Sequence, residues 1–267
     1  MAFASKKIST LNSNKLEPAT NPRENVTWVG NNLYKLYDPS LLPANYAGDV
    51  SNVNIDNIVL NLSRLKRFKG DSDLSVLVHS SFCYYLAKYL KLSPNSRKAC
   101  LIHDLHEGVI GDVTSPVENC LSEEAKKDLN NIKHQVQTDI NAYLGFMLPS
   151  QYTYDMNRDV KLIDHMAFLY EAKTCAMIRS DGLKEKIQNI INPFLLSPEY
   201  EEFEELCFDM EYSLFHKNPF IKILKKEFNY EDKNCYFDKA GEMQEALEGE
   251  LSEFFTEAVE AYFEPRE

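Results

Sequence analysis

Three apolar stretches of the sequence carry side chains that ionise or bind metals. His79 lies within SVLVHSSFCYYLA, the pair His103-Asp104 ends ACLIHD, and Asp164 sits in VKLIDHMAFL. An ionised carboxylate buried without a partner costs several kcal/mol or shifts its pKa strongly. Two imidazoles and two carboxylates on three apolar helices satisfy one another if they converge on a cation. That donor set suits Mn, Fe, Co, Ni or Zn, with positions left for water or a phosphate oxygen. Each residue taken singly reads more readily as a hydrogen-bonded helix residue or a cap. The order His, His-Asp, Asp on successive helices lifts the metal reading above that one.

Glu107 follows His103 by four residues. On a helix that spacing shares a face, so a carboxylate one turn from an activated water could act as its general base. Asp112 comes five residues later, just past Gly111. The competing reading for both is solvent exposure, because HDLHEGVIGD is polar enough to be a loop edge. His106 and His165 each adjoin a better-placed residue and are expected to face elsewhere.

The elements that must hold these groups are helical. Ile55, Ile58, Val59, Leu62 and Leu65 recur at the spacing of one helix face. A second helix is expected from about residue 74 to 90, apolar on several faces and therefore central. Ser93-Pro94 caps a third, which contains Cys100, Leu101 and Ile102. Gly108 and Gly111 are expected to loosen the chain beyond it. Long helices follow over 122–146, opened by Ser122, and over 155–180. Residues 26–50, with aromatics among turn residues, read as an ordered irregular segment with a short hairpin.

Of the 267 residues 44% are hydrophobic and 26% charged, enough for one sizeable core. The net charge of -12 repels duplex nucleic acid and anionic lipid. A small anionic substrate remains compatible, since a metal or a few local cations reverse the field inside a pocket. No apolar run reaches about 18 residues, so no membrane span is expected. The six cysteines include no C-x-x-C pair, and MAFASKKIST lacks a signal-peptide core; a reducing, cytoplasmic setting is the expectation.

The run IHDLHEGVIGDVTSPVE resembles the signature of the HD-domain 5'-deoxynucleotidases and related phage-encoded HD hydrolases, H-D-x-x-E-x-x-x-G-D-x-x-[ST]-P. The matching positions are His103, Asp104, Glu107, Gly111, Asp112, Ser115 and Pro116. Upstream, SVLVHS resembles the family's first-histidine segment through Ser75, Val76, His79 and Ser80, and Arg64 in LSRLKRFKG precedes His79 by the family's fifteen residues. Downstream, VKLIDHMAFLYEA resembles the helix of the last ligand, with Asp164 as that ligand and Glu171 in the EA that ends it. The likeness covers roughly residues 50–175. The sequence departs from the family at Leu65, Val78 and Glu118, the last standing where a Lys often follows the S/T-P pair.

The resemblance implies an all-α, HD-domain helical bundle holding one divalent metal ion (Mn, Co, Zn, Fe or Mg) through His79, His103, Asp104 and Asp164. Glu107 would orient or deprotonate the attacking water, and Asp112 would act near the leaving oxygen or the sugar. Arg64 would hold the phosphate, with Arg67 and Lys69 as helpers. The expected organisation is a flexible arm over 1–25, the HD phosphohydrolase domain over 26–185 and an acidic helical extension over 186–267. The expected substrate is a (deoxy)nucleoside 5'-monophosphate, with no nucleic acid polymer and no membrane as partner, and a homo-oligomer is allowed. A cyclic- or signalling-nucleotide phosphodiesterase ranks lower, because the sequence offers no second His and Asp cluster for a two-metal site, and two alternatives stay open above it. One is a deoxynucleoside triphosphate hydrolase, for which Lys66, Arg67, Lys69 and Lys161 are candidate cations. The other is an inactive nucleotide-binding sensor, against which the retention of both Glu107 and Asp112 argues.

Overall fold

The computed structural model describes residues 25–29, 32–37, 42, 43, 45–70, 72–212 and 218–228. The expected arm over 1–25 lies outside them except for Asn25, as do residues 229–267. The described residues are all-α apart from one hairpin, in which β1 (Asn25–Val29) pairs antiparallel with β2 (Asn32–Leu36). Among the described residues no helix is long and apolar enough to cross a membrane.

Helix α1 (Ile55–Arg64) starts where the Asn54 side chain accepts the Asn57 N–H, and it buries Ile58, Val59 and Leu62. Helix α2 (Val76–Tyr89) is capped by Ser75 and buries most of its length, His79 included. A helix apolar nearly all round belongs in the middle of a bundle, and α2 packs against α1, α3 (Pro94–Ile102), α7 (Tyr154–Thr174) and α9 (Pro198–Tyr212). Between α3 and α7 come the short α4 (Glu107–Ile110) and α5 (Ser115–Asn119), then the long α6 (Glu123–Tyr143), which Ser122 caps.

Both long helices stop short of their expected ends. At α7, Ala176 takes φ 56°, and the N–H groups of Ala176 and Met177 fold back onto the carbonyls of Lys173 and Ala172. At α6, Gly145 takes φ 64° and Phe146 N–H returns to Asn141 O. Each is a left-handed stop that satisfies the last carbonyls. Gly108 does not loosen the chain as expected. A Cβ there would stand 2.7 Å from Ile58 O, so the missing side chain lets α4 lie directly on α1, where Asn61 Nδ2 donates to Gly108 O at 2.9 Å.

Helices α8 (Asp181–Leu195), α9 and α10 (Pro219–Phe228) continue the bundle. Phe82 of α2 stacks on Tyr170 with centroids 5.0 Å apart and meets Phe194 of α8 and Phe203 of α9 edge-on at 5.3 Å. The expected boundary at 185/186 thus falls within α8, whose aromatic face joins the same core.

A polar knot ties the hairpin segment to α6. Asp139 is fully buried and accepts Tyr34 OH at 2.7 Å, Tyr46 OH at 2.5 Å and Asp49 N–H at 2.7 Å. Burial and then the neighbouring Asp139 carboxylate raise the Tyr34 phenol far above its ordinary range.

Candidate metal centre

The three apolar stretches bring their polar residues to one place. His79 projects from the first turns of central α2 and is completely buried. His103 closes α3, and Asp104 begins the turn that leads into α4. Asp164 projects from mid-α7. His79 Nε2 stands 3.5 Å from Asp104 Oδ2 and 3.2 Å from Asp164 Oδ1. His103 Nε2 stands 3.2 Å and 3.8 Å from the same two oxygens.

The far nitrogen of each ring is already committed. His79 Nδ1 lies 2.7 Å from Glu171 Oε1, and His103 Nδ1 lies 2.8 Å from Cys100 O. With Nδ1 donating to those acceptors, both rings turn Nε2 toward the carboxylates, the orientation that metal-ligating imidazoles adopt. His103 Nε2 is buried yet makes no aligned hydrogen bond. Two donors at about 2.1 Å from one ion, at angles of about 90–110°, stand roughly 3.0–3.5 Å apart. The four imidazole–carboxylate separations, 3.2–3.8 Å, lie in or near that window.

The electrostatics agree. Burial opposes a charge on His103, but Asp104 and Asp164 outweigh it and hold the imidazole well above its ordinary value. On His79 burial is likewise overcome, chiefly by Glu171. Burial would raise the carboxyls of Asp104 and Asp164, and the two imidazoles instead hold both below the usual range. The two carboxylates favour a positive charge on the imidazoles facing them. Asp164 keeps 39% of its side chain accessible and so forms the open side of the centre.

Glu107 opens α4, and its buried Oε2 has no hydrogen-bond partner. Burial, then the charges of Asp104 and Asp112, push its carboxyl up to about 9. Asp112 is exposed on the loop after Gly111; burial of its carboxyl raises it and Arg67 works against the rise. Arg67 sits beside the centre, its Nε 3.0 Å from Glu171 Oε2, and it acts electrostatically on Glu107 and Asp112 as well. Arg64 is exposed at the end of α1. Lys66 donates to Asp73 O, Lys161 is exposed, and the side chain of Lys69 lies outside the described residues. His106 Nδ1 lies near His103 O and Gln137 Oε1, and Asp104 acts on the ring electrostatically.

Three residues that sequence reasoning left without a role belong here. Cys83, one turn after His79, joins it and His103 in a group whose ligand atoms all lie within 4.8 Å of one another, which could hold a metal ion. Glu171 orients His79 and pairs with Arg67. Lys133 of α6 pairs with Glu118 and also acts on Asp112. The first two had a signal: Cys83 follows His79 by four residues and Glu171 follows Asp164 by seven, each on the same helix face. Lys133 had none. No protein-family model matches the sequence, and a search of curated proteins found no match.

Proposed function

We propose that this chain is a metal-dependent phosphohydrolase of the HD-domain superfamily that cleaves phosphate from (deoxy)nucleoside 5'-monophosphates. The observation that carries the reading is that Nε2 of His79 and of His103 each stand 3.2–3.8 Å from carboxylate oxygens of Asp104 and Asp164, with the unpartnered, buried Glu107 carboxyl coupled electrostatically to Asp104. A binding site needs the donors; it does not need a strained carboxyl next to them.

In this reading His79, His103, Asp104 and Asp164 hold the ion. When bound, it supplies Lewis acidity toward phosphate oxygens and a water of lowered pKa. Glu107 takes the proton from the attacking water, a role favoured by a carboxyl whose affinity for protons is raised. Arg67 receives the phosphate: with Nε committed to Glu171, its remaining N–H groups can form the charge-assisted fork that phosphate oxygens accept. Arg67 takes this part rather than Arg64 because it is Arg67 that is coupled to the carboxylates of the centre. Asp112 lies at the exposed end of the site, suited to the leaving oxygen or the sugar. Cations coupled to the centre are few among the described residues, which matches a monoester charge of roughly −2 better than a triphosphate.

The test is phosphate release from a panel of dNMPs and dNTPs with Mn, Co, Mg or Zn, run beside Asp104→Ala. Metal-dependent phosphate from a monophosphate, lost in the variant, supports the reading. Tripolyphosphate from a dNTP would reassign the substrate, and no release while metal stays bound would replace the hydrolase with a sensor.

A further inference from the structure

We propose that Cys83 is itself a ligand of this centre, as a thiolate, and that its sulfur biases the site toward zinc, cobalt or ferrous iron over magnesium and manganese. The inference rests on the metal-centre reading above and adds the identity of a fifth donor.

Cys83 lies one turn beyond His79 on α2, is fully buried, and places Sγ 3.6 Å from His79 Nε2. A nitrogen at about 2.1 Å and a sulfur at about 2.3 Å from one ion stand about 3.1 Å apart at an angle of about 90° and about 3.8 Å apart at about 120°, the angles of a five-donor ion, and the observed distance falls between them. Cys83, His79 and His103 meet the mutual distance a shared ion requires. The competing role is a weak S–H···N bond to His79. That bond would also give the 3.6 Å contact, since with Nδ1 donating to Glu171 the Nε2 atom is an acceptor; the two roles part on whether a sulfur–metal bond forms. Cys100, equally buried, is absent from the His/Cys group, so burial of a thiol in this core does not by itself bring it to the centre.

The chemistry is a ligand exchange without oxidation. The S–H bond of Cys83 breaks as the sulfur–metal bond forms, and the proton leaves to solvent. Two nitrogens, one sulfur and two carboxylate oxygens then surround the ion. Thiolate is a soft donor that magnesium and manganese take poorly, whereas zinc, cobalt and ferrous iron accept it alongside imidazole.

The experiment is titration of the metal-free full chain with Co(II) under reducing conditions, for wild type, Cys83→Ser and Cys100→Ser, with X-ray absorption on zinc-loaded wild type. The expected result is a thiolate-to-cobalt charge-transfer band in the near ultraviolet that Cys83→Ser loses and Cys100→Ser keeps. The cobalt d–d bands persist in all three. Zinc-loaded wild type shows one sulfur at about 2.3 Å, and Cys83→Ser loses on the order of tenfold or more in zinc affinity while its manganese affinity holds. Bound cobalt without the charge-transfer band, or zinc without a sulfur neighbour, overturns the ligand role and leaves the metal centre standing. The absorption measurement needs no variant, so a Cys83→Ser protein that fails to fold does not blunt it. Wild type that binds neither ion overturns the metal centre itself, and this inference with it.

Discussion

Asp139 and Asp104 are carboxylates set among helices of the same bundle, and their surroundings differ in kind. Asp139 is met by hydrogens: two phenols and a backbone N–H point at its oxygens, and Asn52 Nδ2 lies at 3.4 Å. Asp104 faces the Nε2 atoms of two imidazoles whose other nitrogens are engaged elsewhere, and it acts electrostatically on Asp164 and on Glu107, one of whose buried oxygens has no partner. A fully satisfied polar cluster fixes one arrangement of the chain. A cluster left open in a buried place is a reservoir of unmet charge, and such places are where function is found. The first cluster docks the hairpin segment onto α6; the second joins α2 to α7 and to the turn after α3 while leaving a buried carboxyl oxygen unpartnered.

That contrast predicts opposite losses from similar substitutions, and these are the largest effects. Asp104→Ala removes a donor of the centre and is expected to abolish metal-dependent phosphate release, on the order of 10³-fold or more, with the metal-free fold retained. Asp139→Ala strands the hydroxyls of Tyr34 and Tyr46 and is expected to cost about 3–5 kcal/mol in urea unfolding. A folded Asp139→Ala protein that binds metal but has lost turnover would erase the distinction.

Glu107→Gln comes next, with a loss of about 10²–10⁴-fold, the range for a general base. Its pH signature separates a base from a packing residue. The working form is the carboxylate, so activity rises as pH rises through the pKa of Glu107. Burial, Asp104 and Asp112 raise that value to about 9 from an ordinary 4.5. A cation at the centre offsets Asp104 and draws it back, which places the acid limb between those two values. Residual activity in the Gln variant is expected to lack the limb; an unchanged profile assigns the proton to another group.

The sequence revealed the donors of the open cluster more readily than their supports. His79, His103-Asp104 and Asp164 stood out because ionisable residues interrupt apolar runs, and burial makes such interruptions costly unless they serve one another. The all-α class followed from apolar spacing, and Ser93 and Ser122 marked helix starts correctly where caps are a local matter. Helix ends were less legible, because φ 56° at Ala176 is a left-handed residue with no glycine to announce it. Gly108 misled, since close approach of two helices depends on which faces meet and not on local sequence. The Asp139 knot was invisible for the same reason: its partners lie about ninety residues or more away in the chain.

Glu171 tests whether the open cluster also depends on groups behind it. Glu171→Gln weakens the bond that fixes the tautomer of His79 and leaves Arg67 without its ion pair. The expected result is a roughly 10–100-fold loss of metal affinity, read by competition with a chelator. Unchanged affinity would mean that packing alone orients His79.

The smallest effect belongs to the closed cluster and separates its members by pH. Tyr34→Phe removes one of the donors to Asp139 and is expected to cost about 1.5 kcal/mol, the low end for a bond to a charged acceptor. Burial, then Asp139, raises the Tyr34 phenol above its ordinary 10.0 in the folded chain. Above pH 10.0 the unfolded chain therefore releases a proton that the folded chain keeps, and the native state loses stability as pH rises, by about 1.4 kcal/mol per pH unit for each such group. Below that pH the contribution is fully present. Urea midpoints measured from neutral to alkaline pH should fall less steeply in Tyr34→Phe than in wild type, by about one proton. Parallel curves would show that the phenol ionises as freely in the bundle as in water, and the closed cluster would then be no tighter than the open one.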